Sequence, residues 1–418
     1  MNDSMIKASI ANAPWLKTPE TRAVIAALEA ARAGGSRFVG GCVRNTLMGR
    51  PVDDIDIATQ LTPDDVVKAA KAAGLAAVPT GIEHGTITVV SNHLPHEVTT
   101  LRRDVTTDGR RATVAFTEDW NEDAQRRDFR MNALYAGPDG QVFDPTGGGL
   151  DDARAGRVIF IGDAETRIRE DYLRILRFFR FNAWYAKTPL DPHGLDACAK
   201  LVGGLDTLSA ERVWKETKKL LAAPDPRAAW EGMEAIGVRA RALPELTQHA
   251  RLVALMTLEN DLLLDHDAMT RIAAGLAHEN AARELARRLK LSNEERERLV
   301  DALGDGERII SFMSLREVRR ALYRAGATAF EDRVKLAWAS ERNDKAAPQW
   351  RALIAMARGW TRPKLPLTGD EVMAAGVPPG PKVGEVMREV EAWWIDADFP
   401  DDKLSIVERL KAVAQGLS

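Results

Sequence analysis

The sequence predicts an α+β chain, with a mixed β-sheet in residues 1–150 and helices from there on. Three observations predict it. Apolar and β-branched runs of strand character (Phe38-Val39, Val52 to Ala58, Thr86 to Val90, His96 to Arg102, Val142-Phe143) all fall before residue 150. Beyond Ala164 apolar residues recur at helical spacing, and short Pro, Gly or Asn breaks separate the runs. Gly147-Gly148-Gly149 marks the change. It reads as backbone geometry, because no helix with Lys-Ser/Thr follows to make a phosphate loop.

Thr18-Pro19-Glu20 is a helix start, and residues 18–33 form one amphipathic helix. Phe38 to Thr59 then carries the densest chemistry. Phe38-Val39 ends a buried strand, and Gly40-Gly41 lets the backbone approach a bulky anion. Cys42 to Leu47 opens a helix whose first amides favour phosphate oxygens, with Arg44 beside them as a fork-shaped cation. On the strand after Gly49-Arg50-Pro51, residues two apart share a face. Asp54 and Asp56 therefore project together while Ile55 and Ile57 enter the core. A lone Gly-Gly is ordinarily a turn, and a lone Asp-x-Asp a solvated strand edge. In this order they are the ingredients of a two-metal phosphoryl-transfer site.

Thr62-Pro63 starts a second helix, which Gly74 ends. The two strands that follow form a hairpin broken at Asn92 to Pro95, and Glu97 faces the same way as Thr99. Asp104 to Asp119 reads as a mobile loop centred on Arg110 and Arg111. Arg126 to Leu134 (RRDFRMNAL) follows it. Arg167 to Tyr185 reads as one helix on which Asp171 and Arg174 are neighbours, with Arg177 and Arg180 continuing at spacing three. Read blandly, that pair is an ion bridge on a wet helix.

These stretches together resemble the class II nucleotidyltransferases, the CCA-adding tRNA nucleotidyltransferases and bacterial poly(A) polymerases. The resemblance covers about the first 220 residues, from FVGGCVRN and DDIDIAT through HGT, EVTT and RRDFRMNAL to EDYLR and SAERVWKETKKL. It implies a polymerase-β-like nucleotidyltransferase head (1–150), a helical neck that selects the base (151–230), a helical body (231–345) and an RNA-binding tail (346–418). Asp54 and Asp56 would be catalytic and hold Mg²⁺, with Glu97 as a third carboxylate. Gly41, Arg44 and Arg127 would bind the nucleotide, and Arg110 would shape its pocket. Asp171 and Arg174 would read the base, and Arg177 and Arg180 would hold the triphosphate. The implied reaction adds C, C and A to tRNA 3′ ends from CTP and ATP without a nucleic-acid template. A poly(A) polymerase, a partial CC- or A-adding enzyme and a non-catalytic RNA-binding protein on the same scaffold are the alternatives. The chain departs from the family pattern at Asn45 (usually Asp), Arg130 (usually Thr) and Tyr172 (often Pro).

Other classes find no support. A net charge of −3 requires any RNA contact to come from local basic patches. Cys42 and Cys198 are too far apart in sequence to suggest a metal or disulfide framework. No signal-peptide pattern and no apolar run of membrane-spanning length is present, so a cytoplasmic protein without membrane or DNA partners is expected. His266-Asp267 lacks the further ligands of an HD phosphohydrolase. Trp350, Trp360 and the basic residues around them are read chiefly as buried tryptophans at a junction. Arg283 to Lys290 is a helix with a wet face.

Overall fold

The computed structural model describes residues 6–82, 85–108, 111–304, 306–342 and 344–416. The chain divides into two compact units, Met1–Pro244 and Glu245–Ser418.

The first unit holds the sheet. Its strands are β1 (Ile6–Ser9), β2 (Ser36–Val39), β3 (Asp56–Thr59), β4 (Ala76–Gly81), β5 (Thr86–Ser91), β6 (Leu94–Thr100), β7 (Arg102–Asp108), β8 (Arg111–Phe116), β9 (Tyr135–Ala136) and β10 (Gln141–Phe143). Eight of them form one sheet in the order β1-β10-β9-β2-β3-β6-β5-β4, and β7 and β8 form a separate ribbon. Only β3 and β6 run parallel, with Asp56 opposite Glu97, so the sheet is mixed as expected. Helices α1 (Pro19–Ala31), α2 (Gly41–Leu47) and α3 (Pro63–Ala72) are interleaved with the first strands. Thr18 and Thr62 cap α1 and α3 by accepting from the amides of Thr21 and Asp65.

Three expectations are corrected here. The Asp-x-Asp strand begins only at Asp56; Asp54 lies in the lead-in, although Glu97 N–H already donates to Ile55 O at 3.2 Å. The hairpin turn is shorter than read. Asn92 and His93, both at positive φ, make a two-residue connection, and Pro95 lies within β6. The stretch read as a mobile loop is mostly the β7–β8 ribbon, in keeping with its Val and Thr content. Arg110 lies outside the described residues.

After α4 (Trp120–Gln125) and α5 (Gly149–Ala155) the chain becomes helical: α6 (Ala164–Glu170), α7 (Leu173–Tyr185), α8 (Pro192–Leu201), α9 (Ala210–Leu221), α10 (Arg227–Ala235) and α11 (Val238–Ala242). The single helix expected over 167–185 is in fact α6 and α7, broken at Asp171-Tyr172. Asp171 is extended (φ −156°, ψ 104°) and its Oδ1 accepts from Leu173 N–H at 3.1 Å. Ser209 stands at the N-cap of α9 without making a side-chain cap bond. The glycine run is geometric: a Cβ on Gly149 would lie 2.3 Å from Arg130 O.

The second unit comprises α12 (His249–Asp261), α13 (Ala268–Gly275), α14 (Glu279–Leu289), α15 (Asn293–Leu303), α16 (Leu315–Ala325), α17 (Ala327–Glu341), α18 (Ala347–Arg358), α19 (Gly369–Ala374), α20 (Pro381–Asp396) and α21 (Lys403–Gly416). Trp350 is fully buried and stacks on Trp338 at 6.2 Å, and Trp360 packs against Phe399, so the tryptophans are structural. Asp267 caps α13 and pairs with Arg298. Among the described residues no helix is long and apolar enough to cross a membrane.

Candidate active site

A cleft of about 500 Å³ opens in the first unit. Gly40 and Gly41, at the β2–α2 junction, form part of its wall together with Arg44, Asp56, Arg127, Asp171, Arg174 and Arg177. The cleft therefore gathers residues from the FVGGCVRN, DDIDIAT, RRDFRMNAL and EDYLR segments, while the HGT and EVTT segments contribute none to its wall. Gly40 sits at φ +71°, which glycine adopts without strain, and the first amides of α2 follow directly.

Asp56 is the acidic end of the cleft. Burial first, and then the neighbouring Glu97 carboxylate, pushes its carboxyl up to about 6; Arg127 pulls the other way and Asp54 adds to the rise. Glu97, opposite Asp56 in the β3–β6 register, and Asp54 thus both press on the Asp56 carboxylate. Such a set suits a divalent cation, whose charge would relieve that repulsion, and an all-oxygen donor set suits Mg²⁺. Among the described residues no three acidic, His or Cys side chains are already gathered as a closed metal cage. Asp54 is exposed and is not part of the cleft wall.

The basic side is built on carboxylates. Asp123, 1% exposed, accepts from Arg127 at 3.0 Å, from the Tyr135 hydroxyl at 2.7 Å and from Arg126. Burial opposes its charge, but Arg127 and Arg126 overcome this and hold its carboxyl well below the usual range. Asp128 accepts from Arg177 Nε at 2.8 Å and from Asn132 Nδ2 at 3.0 Å. Burial opposes that charge too, yet Arg177 and Asn132 hold its carboxyl at about 2.

Arg44 differs from these. It is nearly buried and donates to Asn132 Oδ1 (2.5 Å), Asn45 Oδ1 (2.8 Å) and the Tyr185 hydroxyl (2.7 Å), while stacking on the Tyr185 ring at 4.0 Å. All three hydrogen-bond partners are neutral. Asn45 therefore positions this guanidinium without neutralising it.

Asp171 and Arg174 both line the cleft; Arg174 N–H donates to Asp171 O at 3.0 Å, but their side chains are not paired with each other. Asp171 Oδ2 accepts from Arg212 at 2.6 Å. Arg174 pairs with Glu170 at 2.6 Å and donates to Arg167 O and Arg126 O at 2.9 and 3.1 Å. The bland reading, a mutual ion bridge on a wet helix, does not hold. Arg180 points elsewhere: its Nε donates to Glu216 at 2.5 Å, and it is not part of the cleft wall.

The other two departures also find partners. Arg130 forms a two-pronged pair with Asp152 of α5 at 2.6 and 3.0 Å. The Tyr172 ring lies against Gly204, where a Cβ would approach it to 1.9 Å. Sequence reasoning missed Asp123, Tyr135, Tyr185 and the cleft role of Arg212. Asp123 had a local signal, its i,i+3 and i,i+4 spacing to Arg126 and Arg127. Tyr185 had none, since it meets Arg44 across 141 positions of sequence.

Comparison with known proteins adds to this geometry. Residues 36–159 match the family model described as "Poly A polymerase head domain", and residues 189–249 match "Probable RNA and SrmB- binding site of polymerase A". The chain is 32% identical to CCA tRNA nucleotidyltransferase 1, mitochondrial, of Danio rerio, over 90% of this chain and 86% of that one. It is 31% identical to the CCA-adding enzyme of Streptococcus gordonii, over 94% and 97%. Among solved structures, the Bacillus stearothermophilus CCA-adding enzyme in complex with CTP superposes with a TM-score of 0.75 at 27% identity, covering 96% of this chain and all of that one.

Proposed function

The chain belongs to the CCA-adding tRNA nucleotidyltransferases, and on that premise we propose that it adds C, C and A in turn to the 3′ end of tRNA from CTP and ATP, without a nucleic-acid template. The observation that carries this reading is the single cleft in which Asp56, the Gly40-Gly41 turn, Arg127 and the Asp171/Arg174 edge meet. Solved relatives described as complexes with CTP, with ATP and with tRNA agree with these partners, and the match of residues 189–249 to a family model described as a probable RNA-binding site supports an RNA partner.

In this reading Asp54 and Asp56 hold Mg²⁺, with Glu97 adjoining. Bound there, the ion would lower the pKa of the attacking RNA hydroxyl and neutralise charge on the triphosphate. The remaining work falls to the chain. Gly41 lets the backbone approach a phosphate, and Arg44 offers it a charge that Asn45, Asn132 and Tyr185 orient but do not cancel. Arg127 is held by Asp123 and Tyr135, so its guanidinium is aimed before the nucleotide arrives. Arg177 lies at the same wall as a further phosphate contact.

CTP and ATP each present an exocyclic amine next to a ring-nitrogen acceptor, whereas UTP and GTP reverse that pattern. Asp171 accepts from the amine through lone pairs that Leu173 N–H and Arg212 leave unused. Arg174 donates to the ring nitrogen with N–H groups left over from its three protein contacts. A protein edge fixed in this way can stand in for a template strand.

Purified protein, Mg²⁺ and tRNA lacking its 3′ end, supplied with each nucleotide singly and in combination, test this function. Incorporation of C, C and A followed by arrest is the expected result. Open-ended A addition to any RNA would identify a poly(A) polymerase. Arrest after CC, or A addition only to tRNA already ending in CC, would identify a partial enzyme. No incorporation would leave a non-catalytic RNA binder.

A further inference from the structure

We propose that Tyr185 is a positioning residue for the triphosphate: it holds Arg44 in place, a task that a carboxylate at position 45 would perform only by cancelling the charge. The proposal rests on the function above, since it needs a nucleoside triphosphate in the cleft.

Arg44 lies on α2, just past the glycine turn, and Tyr185 is the last residue of α7. Two interactions join them. The phenol oxygen accepts from Arg44 Nη2 at 2.7 Å, and the guanidinium carbon stands 4.0 Å from the ring centre. Asn45 Oδ1 accepts from Arg44 Nη2 and Nε at 2.8 and 3.1 Å, and Asn132 Oδ1 accepts from Nη1 at 2.5 Å. Those bonds use every guanidinium N–H but one on Nη1, which is left for a phosphate oxygen.

The bonds continue beyond Asn132. Its Nδ2 donates to Asp128 Oδ1 at 3.0 Å, and Asp128 Oδ2 accepts from Arg177 Nε at 2.8 Å. Arg177 and Tyr185 are roughly two turns apart on α7. The contacts therefore close a ring: Arg44, Asn132, Asp128, Arg177, then along α7 to Tyr185. The ring sets two arginines of the cleft wall in one frame, and the Phe181 ring lies 5.3 Å from each guanidinium carbon. Its carboxylate, Asp128, bonds to Arg177 and reaches Arg44 only through the Asn132 amide. Tyr185 is the direct tie between Arg44 and α7.

Charge explains why a tyrosine does this. Arg44 is 6% exposed, and burial disfavours its charge. With neutral hydrogen-bond partners, the cation keeps an unmet demand for an anion, which a polyphosphate supplies. A carboxylate in place of the Asn45 amide would accept the same two N–H groups more strongly and make the phenol's bond redundant. It would also satisfy the charge before the nucleotide arrived. A phenol offers an acceptor and an electron-rich face without net charge. Asn45 and Tyr185 together thus keep Arg44 both aimed and charged.

The test compares Tyr185→Phe, Asn45→Asp and the double variant. Binding of CTP, pyrophosphate and cytidine, each with Mg²⁺, is measured by calorimetry, with the KM for CTP and ATP alongside. Tyr185→Phe keeps the ring and removes the acceptor. It should weaken CTP, ATP and pyrophosphate by about fivefold each, as one lost hydrogen bond to a charged group would. Cytidine, which carries no phosphate, should bind as it does to the natural protein. Asn45→Asp should by itself weaken pyrophosphate. In that background Tyr185→Phe should cost about twofold at most, because the carboxylate now holds Arg44. A merely structural Tyr185 would give the same factor in both backgrounds, and that result overturns the proposal. Natural pyrophosphate affinity in Tyr185→Phe, tighter pyrophosphate binding in Asn45→Asp, or an equal loss for cytidine overturns it as well. In each of these cases nucleotide addition by the natural protein would still stand. A natural protein that incorporates no nucleotide would instead remove the function, and this inference with it.

Discussion

At the scale of single residues, Asp56 carries the sharpest expectation. Asp56→Ala should lower incorporation at least ~100-fold while circular dichroism stays unchanged, because the cation would lose its most enclosed ligand. A variant retaining a tenth of the natural rate would remove Asp56 from the metal site. Base choice separates two neighbouring arginines. Arg174→Ala should raise UTP and GTP incorporation relative to CTP and ATP, since each mismatched polar group is worth ~1–3 kcal/mol. Arg177→Ala should weaken all four nucleotides alike. Equal slowing of all four by Arg174→Ala would end the idea of a protein template. Asp128 adds a pH dependence. Its folded carboxyl is depressed from 3.8 to about 2, so its contribution is present above pH 3.8 and is lost as pH falls through 2. The shift corresponds to roughly 2 kcal/mol. Thermal unfolding of Asp128→Asn between pH 5 and 2 should therefore show a shallower acid loss than the natural chain. At this scale the meeting of Asp56, Arg127, Asp171 and Arg174 at one cleft was legible because their motifs fix type and spacing, whereas Asp54 stands off the cleft wall. Asp171's actual partner, Arg212, was not legible, because an ion pair across 41 positions leaves no local trace.

At the scale of elements, the break between α6 and α7 matters most. The run RIREDYLRILRFF holds no Gly or Pro, so periodicity alone extends one helix through it. The break comes from tertiary contacts: Asp171 turns to Arg212, and the Tyr172 ring lies on Gly204. Gly204→Ala should force Tyr172 away, at a cost of about 1–3 kcal/mol, and shift Asp171 with it. Melting temperature and CTP/UTP discrimination should both fall, and adding Tyr172→Ala should restore both in part. No recovery in the double variant would show that the two positions are not coupled. Helices α1 and α3 were legible to within two residues at either end because Thr-Pro starts and glycine ends are local chemistry. The β7–β8 ribbon was hidden by its charged and glycine-containing sequence, which reads as loop in the absence of a pairing partner.

At the scale of the whole molecule, the division into sheet and helices was legible from where strand-like runs stop, near residue 150. The boundary between compact units was not. It falls after Pro244, so the expected head and neck residues share one unit. All residues of the cleft wall lie in that unit. Residues 1–244 expressed alone should therefore bind CTP within several-fold of the full chain by calorimetry. A folded fragment that binds no CTP would show that Glu245–Ser418 is needed for the nucleotide. The paired arginines of the cleft have one more consequence. Arg126, Arg127, Arg174, Arg177 and Arg212 rest on carboxylates, and Arg44 rests on amides and a phenol. Long side chains normally lose rotamer entropy when they clamp a ligand, about 0.5–1.5 kcal/mol each. Here that freedom is already gone when the protein folds, so a nucleotide meets a surface that has little left to lose.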